Sequence, residues 1–232
     1  FISGAGSTDM LIVMARTGVA GAKGISAFAV PADLPGIRYG KKEDKMGWNS
    51  QPTRAIFFDD VRVPAANRLG EEGEGFRIAM KGLDGGRINI ATCSVGAAQG
   101  AFNAAQRYLG ERQQFGKKLA DFQALQFRLA DMATELVAAR QMIRLAASKL
   151  DAAAPDTSIY CAMAKRFATD AGFNICNEAL QLHGGYGYLR DYPLERLLRD
   201  ARVHQILEGT NEIMRVIIAR RMLEADAPDS IR

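Results

Sequence analysis

The chain has 232 residues, 48% hydrophobic and 24% charged, the balance of a globular protein long enough to enclose a core. A net charge of +4, spread along the sequence, argues against nucleic acid as the partner and leaves small polyanions such as nucleotide phosphates open. Cys93, Cys161 and Cys176 lie far apart in apolar helical sequence and read as buried free thiols of a reducing compartment; two histidines are too few for a metal cluster, and no apolar stretch reaches the ~20 residues of a membrane span.

The sequence opens on Phe1-Ile2-Ser3-Gly4, strand-like and without an initiator methionine, and reads as cut from a longer protein, so its start says nothing about targeting. Residues 1–64 read as part of an antiparallel β domain. Leu11 to Arg16, Ile25 to Val30, Ile37 to Gly40 and Arg54 to Val63 are short β-rich runs, with a Pro-Gly turn at Asp33-Leu34-Pro35-Gly36. Few strands are present, so the sheet is expected to be incomplete. Residues 65–75, rich in Gly and Glu, read as a connector.

From residue 76 to 232 a helical domain is expected. The first helix runs from about Asp84 to Leu109, rich in Ala and Gly. The second carries Leu125, Leu129, Met132, Leu136, Ala139, Ile143, Ala146 and Leu150 at alternating steps of four and three, an apolar seam of the bundle kind. Pro155 breaks it. A third, Thr157 to Leu182, and a last, Glu212 to Leu223, complete a four-helix bundle, giving a mixed but mainly α fold.

Four segments could carry chemistry, each with a structural alternative. Glu208, after Ile206 and Leu207 with no cation beside it in sequence, is expected to lose water, an environment that suits a carboxylate base; the run Gly209-Thr210-Asn211-Glu212 is also ordinary helix-capping sequence. Gln181-Leu182-His183-Gly184-Gly185 supplies nearly bare backbone that a cofactor could approach, or a plain helix stop. Arg112, Gln114, Phe115, Phe122 and Gln123 could hold a pyrophosphate and a flat ring, or form a solvated loop. Asp84 reads as an N-cap with Arg87 one turn inward, where it could reach a polar ligand group.

Taken together, Asp84-Gly85-Gly86-Arg87-Ile88-Asn89-Ile90-Ala91, Leu182-His183-Gly184-Gly185-Tyr186-Gly187-Tyr188 and Val203-His204-Gln205-Ile206-Leu207-Glu208-Gly209 resemble the acyl-CoA dehydrogenase family, over essentially the whole chain. The resemblance implies a flavoenzyme holding FAD, with an N-terminal helical domain and the first part of the β domain lying outside this sequence. It implies that Glu208 removes the α-proton of an acyl-CoA, with its own backbone N–H among the donors to the thioester oxygen, while the β-hydrogen leaves to the flavin. Phe1, Ile2 and Ser3 match a Trp-Ile-Thr beside the flavin ring, departing from it at both outer positions. Arg112, Gln114, Phe115, Phe122 and Gln123 match residues on the ADP half of FAD. Gln181, Leu182, His183, Gly184 and Gly185 match a loop that reaches a neighbouring subunit's FAD, which implies a homo-oligomer, a tetramer. Thr210, Asn211 and Glu212 match a further FAD contact, and Asp84, Arg87 and Gly209 match substrate contacts.

Isovaleryl-type members place the base on the earlier helix, where this chain has Gly86, so the resemblance points away from that subgroup. Leu207 before the base, where straight-chain members have Tyr, points to a short branched acyl group. The resemblance further implies electron-transfer flavoprotein as acceptor, and a mitochondrial matrix or bacterial cytoplasmic location. An oxidase of the same fold, or a non-catalytic oligomerising bundle, are the competing readings.

Overall fold

The computed structural model describes residues 1–224, so the end of the expected 76–232 domain lies outside the described residues. The chain forms two compact units, Phe1–Leu83 and one from Asp84 onward. In the first, strands β1 (Ile2–Ser3), β2 (Met10–Arg16), β3 (Ile25–Pro31), β4 (Ile37–Tyr39), β5 (Thr53–Arg54), β6 (Ile56–Phe58) and β7 (Arg68–Leu69) follow in order. All their pairings are antiparallel, in the sets β1-β5, β2-β3-β7 and β4-β6. The β2–β3 ladder runs from Met10 opposite Pro31 to Arg16 opposite Ile25. Leu11, Val30 and Ala32 form its small core, joined by Val13, Phe28, Leu34, Ile37, Ile56 and Val63.

The Pro35-Gly36 turn forms as the sequence predicts. Gly36 has φ 92°, and a Cβ there would sit 2.2 Å from the Asp59 carbonyl oxygen, so a side chain is excluded on two counts. Two expectations change. The run Arg54 to Val63 is interrupted: β5 and β6 are separate, and a turn follows at Asp60, whose φ is 46°. Residues 65–75 are more than a connector, since a 3-10 turn at Ala65–Asn67 leads into β7, which pairs with β3 through Ala27 and Phe28.

The helices are α1 (Gly75–Glu111), α2 (Gln123–Asp151), α3 (Thr157–His183), α4 (Leu194–Arg202) and α5 (Asn211–Met222). A hairpin of β8 (Gln113–Gln114) and β9 (Lys117–Lys118) joins α1 to α2. Its turn residues Phe115 and Gly116 have φ of 52° and 80°, the paired positive angles of a tight two-residue hairpin. The segment expected as a loop is therefore a small β-ribbon.

Helix α1 begins well before Asp84. Phe76, Met80 and Leu83 already recur at helical spacing and no proline lies between them, so Asp84 lies inside the helix and caps nothing. The α2 seam is where periodicity puts it: Met132, Leu136, Ala139, Ile143 and Ala146 are buried and Leu125, Leu129 and Leu150 pack beside them. They meet Ala91, Ala98, Ala101, Ala105 and Leu109 of α1 and Cys161, Ala164, Ala168, Ile175 and Ala179 of α3 in one core. Small residues let the backbones approach: a Cβ on Gly172 of α3 would sit 2.3 Å from Ser94 Oγ of α1. Cys161 and Cys176 are buried free thiols, whereas Cys93 is exposed, on the outer face of α1. Helix α4 is an element that periodicity does not announce, nine residues introduced by Pro193 and anchored through buried Leu194 and Ala201. Among the described residues no helix is long and apolar enough to cross a membrane.

Candidate functional site

Glu208 and Gly209 lie between α4 and α5 with φ of 57° and 92°, two consecutive left-handed residues. A non-glycine residue holds that conformation only where its surroundings impose it. The turn sends the Glu208 carboxylate back onto α1, against Gly86. A Cβ built on Gly86 would lie 2.6 Å from Oε2 of Glu208, and its three nearest neighbours are all atoms of that carboxylate group. The bare backbone at Gly86 is thus the floor on which this carboxylate rests. Ile206, expected to help wall Glu208 off from water, is instead exposed, and Glu208 itself is half-buried.

Beside Gly86 on the same helix, Arg87 is 7% exposed and donates from Nη1 to Asp84 Oδ1 at 2.8 Å. Ser158 Oγ donates to the other oxygen of Asp84 at 2.6 Å. Arg87 Nε is buried without a hydrogen-bond partner, an orphaned donor that a polar ligand group could satisfy. Asp84 and Arg87, expected as a cap and a ligand contact, form one buried ion pair on the helix that carries Gly86.

The residue that sequence reasoning missed is Lys165. It is completely buried on α3, and its ammonium donates to the Gly209 carbonyl oxygen at 2.8 Å and to Asn211 Oδ1 at 2.9 Å. Asn211 in turn donates to Thr169 Oγ1 and Asp170 Oδ1, and Gln205 Nε2 donates to the same Asp170 oxygen at 2.8 Å. The Asn211 side chain is therefore committed inside the protein. Thr210 caps α5, accepting from the Ile213 N–H, while Glu212 stands exposed in the first turn. Its carboxyl is held below the usual range by backbone and Thr210 hydrogen bonds. Burial lowers Lys165 to about 8, and Asp170, Glu208 and Glu212 oppose that shift, so a cation absent from the neighbouring sequence does face Glu208. A lysine in register with Cys161, Ala164 and Ala168 on an apolar helix face was the signal available.

Farther along the bundle is a cleft of about 620 Å³. Arg112, Gln114, Gln181, Leu182, His183, Gly184 and Gly185 all line it, together with Tyr108, Arg128 and Tyr186. Phe115, Phe122 and Gln123 do not; Phe115 is 90% exposed at the hairpin tip and packs edge-on to Phe122, whose ring also carries Lys117. The Arg112 guanidinium lies 5.5 Å from the centre of the Tyr186 ring, and Tyr108 stacks on His183 at 4.3 Å. His183 Nδ1–H donates to the Ala179 carbonyl, and burial lowers its pKa, leaving it neutral near pH 7. Gly184 ends α3 with φ 58°, whereas Gly185 has no such demand and a Cβ there would meet nothing within 4 Å. Of the glycine pair, only the first has a positive φ.

Phe1, Ile2 and Ser3 lie on or beside β1, all exposed, with Ile2 and Ser3 paired to β5. Among the described residues no group of three or more His, Cys, Asp or Glu could hold a metal ion.

Residues 1–61 match the middle domain of acyl-CoA dehydrogenases and residues 73–223 match the acyl-CoA dehydrogenase C-terminal domain. The chain belongs to the acyl-CoA dehydrogenase family. It is 58% identical over 224 residues to the mitochondrial isobutyryl-CoA dehydrogenase of Bos taurus, a match covering 97% of this chain and 54% of that protein. The corresponding protein of Dictyostelium discoideum is 55% identical, with 97% and 55% covered. Butyryl-CoA dehydrogenase from Megasphaera elsdenii superposes with a TM-score of 0.94 at 45% identity, over 97% of this chain and 58% of that one. This family member thus spans a little over half the length of those acyl-CoA dehydrogenases.

Proposed function

We propose that this chain carries the base and part of the cofactor site of an FAD-dependent acyl-CoA dehydrogenase that desaturates a short branched acyl-CoA. The observation that carries the reading is the Glu208 carboxylate resting on Gly86, in a turn whose backbone is left-handed at two successive residues. In this reading Glu208 takes the α-proton onto a carboxylate oxygen, and its backbone N–H is a donor to the thioester oxygen as negative charge builds there. The buried Asp84–Arg87 pair, with its orphaned Nε, offers polar contact to the substrate close to the base.

The cleft fits one half of a dinucleotide. Arg112 supplies a guanidinium for pyrophosphate, Tyr186 and Tyr108 supply aromatic faces, and Gly185 exposes backbone that no side chain obstructs. Because Arg112 and Gln181 to Gly185 line the same cleft, they serve one FAD rather than two. Bound FAD would supply the acceptor for the β-hydrogen, with electron-transfer flavoprotein taking the electrons onward. Exposed apolar side chains on α2 (Phe127, Val137, Leu145) and α5 (Ile213, Val216) support a homo-oligomer.

Leu207 and the 58% identity to a protein named for isobutyryl-CoA support a branched substrate. The test is Glu208→Gln in the intact protein. Flavin content should be kept while dye reduction by isobutyryl-CoA falls by roughly 10²–10⁴; retention of more than about a tenth of the rate sinks the assignment. A parallel panel of straight and branched acyl-CoAs tests the substrate class.

A further inference from the structure

Lys165 is an ammonium with no exposed surface, on a helix face otherwise made of Ala, Cys and Thr. A lysine is rarely so deeply buried unless its partners compensate for lost water. Both partners belong to the loop of the proposed base: the Gly209 carbonyl at 2.8 Å and the Asn211 carboxamide oxygen at 2.9 Å. Gly209 follows Glu208 directly, and both residues are left-handed.

Most of the other contacts made by this loop are local or weak. Ile206 and Leu207 donate to Val203, and the Thr210 cap on Ile213 is long at 3.4 Å. The bonds that tie the turn to a distant, rigid element are those from Lys165, together with the Asn211 and Gln205 contacts to the same stretch of α3. We propose that Lys165 is the positioning residue of the site: its buried ammonium, bonded to Gly209 and Asn211, holds the left-handed turn that aims the Glu208 carboxylate at Gly86. The inference rests on Glu208 being the base.

The titratable and charged groups facing Lys165 come from every element around it. Asp170 lies one turn on along α3, Glu208 and Glu212 on the loop and the start of α5, Arg87 on α1, and His204 on the turn before the loop. The carboxylates hold the proton on Lys165 against its burial, so it is charged at neutral pH and keeps all its donors for the Gly209 and Asn211 oxygens.

The test uses the intact flavoprotein carrying Lys165→Met, Lys165→Gln or Glu208→Gln. Methionine fills the volume without a donor, leaving the Gly209 carbonyl and Asn211 carboxamide oxygens without their ammonium, so some loss of stability is expected. Glutamine keeps one donor, and guards against a methionine variant that fails to fold. If Lys165 aims the base, kcat should fall about a hundredfold in the methionine variant, less in the glutamine variant, with KM for acyl-CoA and flavin content unchanged. Hydrogen exchange at residues 207–211 should quicken more than in the buried core of α2 and α3. A role in stability alone predicts instead that flavin content, KM and kcat all worsen in step with melting temperature. The inference is overturned if Glu208→Gln abolishes turnover while Lys165→Met retains kcat within about twofold, against the hundredfold that misplacement costs. An active Glu208→Gln overturns the base reading and this inference together.

Discussion

Gly86 and Glu208 stand 122 positions apart in number and in contact in space: a single methyl group on the glycine would come within 2.6 Å of the carboxylate Oε2. This makes Gly86→Ala an unusually clean probe. Gly86 sits inside α1, where alanine is favoured by about 1 kcal/mol, and the nearest atoms to the new methyl belong to Glu208. The melting temperature should therefore hold or rise while turnover drops at least tenfold. Loss of both together, or of neither, in circular dichroism and dye reduction would remove the carboxylate from its assigned seat.

Arg112→Ala should weaken FAD binding more than folding. The side chain is half-exposed and stacked over Tyr186, so the fold loses little, while a charge-assisted contact to pyrophosphate is worth roughly 1.5–3 kcal/mol, or one to two decades in Kd. Titration of apo-protein with FAD, alongside apo-protein melting, separates the two. An unchanged Kd with a lowered melting temperature would make Arg112 a structural residue.

Gly185→Val tests the cleft from the other side. Since a Cβ meets nothing there and the backbone is not left-handed, the apo-protein should fold and melt normally, with its new side chain projecting into the cleft proposed for the cofactor. Flavin absorbance of the purified variant should be lost. Gly184→Val should instead lower the melting temperature as well, because φ of 58° penalises a β-branched residue.

Acid should loosen the bundle through His204. This ring is buried, and burial pushes its pKa down to about 4 from 6.5. Between those values the unfolded chain holds a proton that the native ring does not, so stability is complete above about pH 6.5 and declines as pH falls to about 4. The difference amounts to about 3 kcal/mol at most. His183, also buried with a lowered pKa, acts in the same direction. His204→Gln has no proton to gain, so its melting temperature should fall less steeply over that range; parallel slopes would remove His204 from the account.

The elements most legible in the sequence are those whose period is long and uninterrupted. The α2 seam needs only the spacing of Leu125 through Leu150, and burial follows it closely. Legibility fails where a short-range rule competes. Asp84 before two glycines looks like a helix start, yet the preceding apolar positions keep the helix going. Asn211 is written as part of a capping run, but its side chain turns inward to Thr169 and Asp170. Lys165 stands out on an apolar helix face, but its role is hidden for a different reason. The carbonyl that makes its burial tolerable belongs to Gly209, and nothing local announces a bond across that distance. The proposed cleft residues were readable as a set only through their resemblance to a family, because Arg112 and Gly184 meet only after α2 and α3 fold back on each other.

The turn at Glu208 also divides labour within a single loop. Its path is dictated by main-chain and carboxamide atoms answering to α3, while Ile206 projects outward and Leu207 is only half-buried. Side chains at 206 and 207 can therefore be exchanged with little consequence for where the carboxylate points. In the proposed reading, a lineage could drift from one acyl shape to another by altering Leu207, its reaction chemistry sheltered from the change.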